Sequence, residues 1–194
     1  MKSKKLVFAL TALCLVPTVA WANIGLPMIS VTFRLMVAAF IPIVLIEAHF
    51  FRKILNVGKF DAKIMSLLAN LVSTVIGIPV TWLGLVFLQT ITGGDSAYGL
   101  DTFFQKFLAV TWQAPWLVPY AESELHWMIP TAMLVLLIPY FFASWIIESW
   151  VLENWLKETC DRSLVWRACL IANIVTYCLM ALVPVGKFVT TYLQ

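Results

Sequence analysis

The chain has 194 residues, of which 62% are hydrophobic and only 12% charged; its mean hydropathy is +0.92 and its formal net charge +3. Charged residues make up about a quarter of an ordinary soluble domain, so this composition excludes a soluble globular protein. It points to an all-α polytopic membrane protein, one domain by length.

Residues 1–22 read as a secretory signal peptide that is cleaved. Lys2, Lys4 and Lys5 form a positive n-region, Leu6 to Val16 an apolar core, and Pro17 a helix break. Ala20-Trp21-Ala22 supplies the small residues of a cleavage site between Ala22 and Asn23. The competing expectation is an uncleaved anchor that adds a helix. Removing the three lysines leaves ten Lys/Arg against ten Asp/Glu. The basic character then belongs to the export signal and implies no nucleic-acid partner.

Residues 23–194 form a single polytopic membrane domain with spans near 29–51, 64–91, 125–147 and 168–185. The expected fold is a four-transmembrane-helix bundle. Arg34 blurs the start of the first span and can snorkel to the interface. Gly77 and Pro79 interrupt the second span near its middle, where proline removes a backbone donor and kinks the helix. Broken helices at that depth mark many transporter sites, but Pro42, Pro130, Pro139 and Pro184 show that prolines are common in this chain.

The loops orient the spans. Arg52, Lys53, Lys59 and Lys63 flank the first connection and Lys157, Arg162 and Arg167 the third, whereas the long connection 92–124 carries only Lys106 beside four acidic residues. By the positive-inside rule the first and third are cytoplasmic, and the long loop and both mature termini are extracytoplasmic. The expected location is the bacterial inner membrane. Trp112, Trp116, Tyr120 and Trp127 on the outer side, and Trp145, Trp150, Trp155 and Trp166 on the inner side, form an aromatic belt. Phe103 to Tyr120, broken by Pro115 and Pro119, is too short to cross and is expected along the outer surface, with a re-entrant pore-lining segment as the alternative.

One pattern repeats. Ile46-Glu47-Ala48 followed by Ala69-Asn70-Leu71-Val72-Ser73 is echoed by Ile147-Glu148-Ser149 followed by Ala172-Asn173-Ile174-Val175-Thr176. The echo suggests two tandem helical hairpins, parallel repeats about an axis along the membrane normal, with Glu47, Asn70, Glu148 and Asn173 in one layer; chance similarity between apolar helices competes with it. For the glutamates, a shared proton or cation site competes with pairing to basic residues near the headgroups, and their closeness to the interface favours the pairing. The asparagines are expected to hydrogen-bond across helix interfaces, among the small residues Ala69, Ser73 and Gly77 and Ala168, Ala172 and Thr176. Coordination of a transported ion is the alternative.

No catalytic motif, cofactor site or metal site is legible. His49 and His126 fall on opposite faces, and Cys160, Cys169 and Cys178 lack metal or redox spacing, as does Cys14 in the signal. The sequence therefore favours a small structural or accessory membrane protein acting by helix packing. Its expected partners are the lipid bilayer and other membrane proteins or copies of itself. A small transporter or channel subunit using the Glu/Asn layer is the second reading. Reporter fusions after Lys59 and after Asp101 should report inside and outside respectively, and the reverse result would overturn the orientation.

Overall fold

The computed structural model describes residues 25–192; the signal segment, with its proposed cleavage at Ala22 and Asn23, lies outside them. Among the described residues, four helices are long and apolar enough to cross a membrane, which makes the chain a multi-pass membrane protein. They are α1 (Met28–Ile54), α2 (Lys59–Ile91), α4 (Leu125–Leu156) and α5 (Arg162–Tyr192). A short helix α3 (Phe103–Thr111) lies between α2 and α4.

The spans run further than hydrophobicity alone suggests. α1 has 27 residues, about 40 Å at 1.5 Å per residue, against a hydrocarbon core of about 30 Å. A helix does not stop where lipid stops; it stops where its last carbonyls find other partners. In α1 the Leu55 amide closes on Phe51 O at 2.9 Å, and Asn56 then takes a left-handed φ of 53°, which asparagine tolerates better than most residues. Gly58 caps α2, and Asp61 in its first turn complements the helix dipole.

The Gly77–Pro79 interruption takes a specific form. Helix α2 is not broken: it runs as regular helix through Val72, widens into a π-helical turn over Ser73–Gly77, and resumes from Ile78 to Ile91. The Ile78 amide bonds back five residues to Ser73 O. Pro79 has no N–H to offer a normal ladder, and the π turn before it absorbs the mismatch.

α1 packs against α2 and α5, and α4 packs against α2 and α5, so the ring order is α1–α2–α4–α5, with α1 and α4 meeting across the middle. The buried apolar side chains form two separate clusters. One, around Phe51, Leu55, Met65, Leu152 and Leu156, fills the end where the α1–α2 and α4–α5 turns lie. The other, around Met28, Ile78, Leu117, Met128 and Leu136, fills the opposite end. All seven basic residues of the two turns and their flanks are exposed at the first end.

The opposite end is closed by a knitted cap. Leu26–Pro27 (β1) pairs antiparallel with Trp116–Leu117 (β2), and the Met28 amide, the first of α1, donates to Pro115 O at 3.1 Å. Gln113, fully buried, donates to Gly94 O and Ser96 O at 2.9 and 2.8 Å and accepts from the Tyr120 hydroxyl at 2.9 Å. Gln89 Nε2 donates to Trp116 O at 3.0 Å, and Trp82 donates to Pro115 O at 2.8 Å while stacking on Trp116. Residues 103–120 thus form a capping helix and a strand, packed on α4 through Ala109 and Val110. Phe103, Phe104 and Phe107 point outward, Phe103 with 86% of its surface exposed, which suits a helix lying along an interface. Trp116 is correspondingly tied into the cap through these contacts.

Gly77, at the end of the π turn, lies against α4: a Cβ there would stand 2.5 Å from Ile147 Cδ1. Gly77→Ala should be nearly neutral, because that methyl group ends a flexible side chain. Gly77→Leu should lower stability by about 1–3 kcal/mol through overpacking, read as a lower midpoint of thermal unfolding in detergent.

Candidate functional site

The four polar residues of the sequence echo come together. They lie between the two apolar clusters, in one layer that crosses the bundle. Glu47 lies seven residues before the end of α1, about 10 Å along its axis, and Glu148 eight residues before the end of α4, about 12 Å. Each glutamate retains 1% of its surface exposed, Asn173 none and Asn70 5%. The headgroup pairing expected for the glutamates does not occur. Among the described residues the ion pair formed is Arg162–Glu153 at 3.2 Å, at the turn end. The helix periodicity explains the difference: Arg52 and Lys53 leave α1 on its exposed side, whereas Glu47 shares the buried stripe with Val44, Ala48 and Phe51.

The bonding pattern is reciprocal. Asn70 Nδ2 donates to Glu47 Oε2, and Thr176 Oγ1 donates to Glu47 Oε1 at 3.1 Å. Asn173 Nδ2 donates to Glu148 Oε2 at 2.7 Å, and Ser73 Oγ donates to Glu148 Oε1 at 2.8 Å. Each carboxylate therefore receives an amide from the helix that follows it in sequence and a hydroxyl from the other helix pair. That hydroxyl sits three residues after the other asparagine. Each amide also spends its second N–H the same way, on the carbonyl four residues back: Asn70 on Ser66 O at 3.0 Å and Asn173 on Cys169 O at 3.1 Å. The Ser66 hydroxyl, in turn, ties α2 to α1 by donating to Val44 O at 2.9 Å.

A carboxylate in a membrane interior is costly unless its oxygens are satisfied, and amides and hydroxyls meet that need without bringing a positive charge. All four carboxylate oxygens have a donor, yet among the described residues no lysine, arginine or histidine bonds to either group. The two carboxyl groups also stand close enough to hydrogen-bond to each other. Opposite the layer's apolar flank, toward the cap, lies a cavity of about 40 Å³ bordered by both glutamates, both asparagines, Ser73 and Tyr177.

Gly77 and Pro79 lie beyond this layer rather than in it. Their contribution is the π turn, which begins at Ser73, the residue that reaches across to Glu148. Ser73 and Thr176 stand in the sequence echo, but there they count as small packing residues. Their signal was the hydroxyl recurring three positions after each asparagine. Ser144 and Tyr177, which bond to each other at 2.8 Å one turn further along α4 and α5, have no counterpart in the first hairpin and left no signal. His126 contacts Ser123 O at the cap end, while His49 lies exposed near the turn end. Among the described residues no group of three or more His, Cys, Asp or Glu side chains gathers that could hold a metal ion. Cys169 is buried in the apolar cluster, Cys160 is half-buried and Cys178 exposed.

Comparison of the chain with protein-family models, with curated proteins and with solved structures found no match.

If the hydroxyl donors matter as the geometry indicates, Ser73→Ala and Thr176→Val should each cost about 0.5–1.5 kcal/mol. Asn70→Leu with Asn173→Leu should cost more, because the pair removes two carboxylate donors at once, together with the bonds to Ser66 O and Cys169 O. The check is thermal unfolding in detergent, with a double-mutant cycle of Ser73→Ala and Glu148→Gln; additive losses would show that the pair is uncoupled.

Proposed function

We propose that this protein is a small transporter or channel subunit that works through the Glu47/Glu148 layer, binding and passing a small positively charged species. The observation that carries the proposal is a pair of buried carboxylates whose hydrogen-bond donors, among the described residues, are all neutral. A structural layer would be cheaper as amides and hydroxyls alone, since removing a carboxylate removes its desolvation cost. Two acids kept in a membrane interior without a basic partner are best explained by a cargo that supplies the positive charge. The adjoining cavity gives that cargo a place.

The finer architecture belongs to the same proposal. The reciprocal bonds support two tandem hairpins, α1–α2 and α4–α5, related by an axis along the membrane normal, because exchanging the hairpins exchanges Glu47 for Glu148, Asn70 for Asn173 and Ser73 for Thr176. The seven basic residues at the turn end support an orientation in the bacterial cytoplasmic membrane with that end inside and both mature termini outside, the first residues serving as a signal peptide. Four helices leave little room for a continuous path, so the working unit would be a homo-oligomer or a larger membrane complex.

A second reading, a structural or accessory component acting by helix packing, is favoured by the way the layer ties each glutamate to both hairpins. The two readings part on one experiment. In vesicles reconstituted with purified protein, Glu47→Gln and Glu148→Gln should each reduce cation or proton flux at least about ten-fold, while amount and elution volume stay normal. Undiminished flux in both variants, or no flux from the wild-type protein, would overturn the transport reading and leave the structural one.

A further inference from the structure

We propose that the layer binds one largely dehydrated monovalent metal cation, held by Glu47, Glu148 and the side-chain oxygen of Asn173. This rests on the transport reading and names its cargo. The starting point is an oxygen atom. Asn173 has no exposed surface, and both its N–H bonds are used, on Glu148 and Cys169, yet its Oδ1 is buried with no hydrogen-bond partner. Leaving a buried acceptor unpaired costs about 1–3 kcal/mol, and native structures rarely leave one without a reason. The same residue borders the 40 Å³ cavity into which both glutamates also look.

The ligand set selects the cation. Every available group is an oxygen: each carboxyl oxygen accepts one bond from an amide or hydroxyl, the two carboxyl groups also meet each other, lone pairs remain for a cation, and the Asn173 amide adds a neutral oxygen. Carboxylate, carbonyl and water oxygens suit hard cations, whereas zinc or copper sites would want histidine or thiolate. Charge and space then decide between ions. The two carboxyl groups stand close enough to hydrogen-bond to each other, so that sharing one proton leaves the pair a single negative charge, which one monovalent ion neutralises. At about 10–15 Å³ of free volume per water, 40 Å³ takes that ion with one or two waters, whereas magnesium keeps several of its waters.

The space leading to the site is largely apolar-walled, with the Ser144–Tyr177 pair at its border. A second cavity of about 50 Å³ adjoins the first, sharing Met36, Ile78, Tyr177 and Met180, and extends toward the cap end past Tyr140. The Tyr140 hydroxyl is likewise buried without a hydrogen-bond partner. It offers an oxygen to a cation moving between the cap end and the layer.

Equilibrium binding of radioactive sodium and rubidium to the purified protein in detergent tests the site directly, with N-methylglucamine chloride holding ionic strength constant. The wild-type protein should bind one of the two tracers saturably, one ion per chain. Glu148→Gln should weaken binding at least about ten-fold, and Glu153→Gln, in the ion pair at the turn end, should leave it unchanged. Should Glu148→Gln fail to fold, Asn173→Ser should show the same weakening. Absence of saturable binding of either tracer, or binding that survives Glu148→Gln and Asn173→Ser, would overturn the proposal. The same protein in vesicles separates the two ideas: tracer binding without flux keeps the cation site and defeats transport, and glutamate-dependent proton flux without tracer binding keeps transport and defeats the cation site.

Discussion

Two buried carboxylates set the terms for the rest of this molecule. In a bilayer interior an acidic side chain is tolerated only where the protein replaces what water would have given it. Glu47 and Glu148 each need two donors, and neither can find both within its own helix pair. Each takes an amide from the next helix and a hydroxyl from across the bundle. Rotating any one of the four helices would strand at least one oxygen, so the layer fixes the facing of all four at once. In a low-dielectric interior such networks are strong when complete and expensive when not.

The apolar parts of the bundle follow from this. The layer divides the core into two clusters, one under the turns and one under the cap, and each is packed by residues that shape alone can satisfy. Ala69, Ala168 and Ala172 are fully buried around the layer. Their small size lets the helix backbones approach closely enough for short side chains such as serine and threonine to reach a neighbouring carboxylate. The π turn in α2 belongs to the same arrangement, since it starts at the serine that crosses to Glu148 and ends against Ile147. At the far end, Gln89 and Gln113 do for the connecting loop what the asparagines do for the helices. They satisfy backbone groups that would otherwise be stranded over an apolar core.

How far the sequence could be read varied with the range of the interaction. The four membrane helices, the exposed basic turns and the convergence of Glu47, Asn70, Glu148 and Asn173 were all legible, because each rests on composition or on a short spacing repeated twice. The expectation that the glutamates pair with basic loop residues failed for a geometric reason. Residues close in sequence to Glu47, such as Arg52 and Lys53, lie on the outward side of the same helix and cannot turn back to it. The helix interruption at Gly77 and Pro79 was legible as an irregularity, but its resolution into a π turn was not, because that depends on what Ser73 and Ile147 meet. The cap was legible only as an apolar stretch too short to cross, since its hydrogen bonds join loop residues that no periodicity relates.

The sequence by itself determined that this chain crosses a membrane as helices, since long apolar runs admit little else: no other local structure satisfies its own backbone in lipid. It also determined which polar residues lie within those runs. The tertiary structure alone decided what each polar atom bonds to. Ser73 and Glu148 are separated by 75 residues and Glu47 and Thr176 by 129, and such partners are chosen by helix order and rotation, not by spacing along the chain. Among the described residues that choice left both carboxylates with neutral partners and the Asn173 oxygen with none, and it is this remainder, invisible in the sequence, from which a chemical role can be argued.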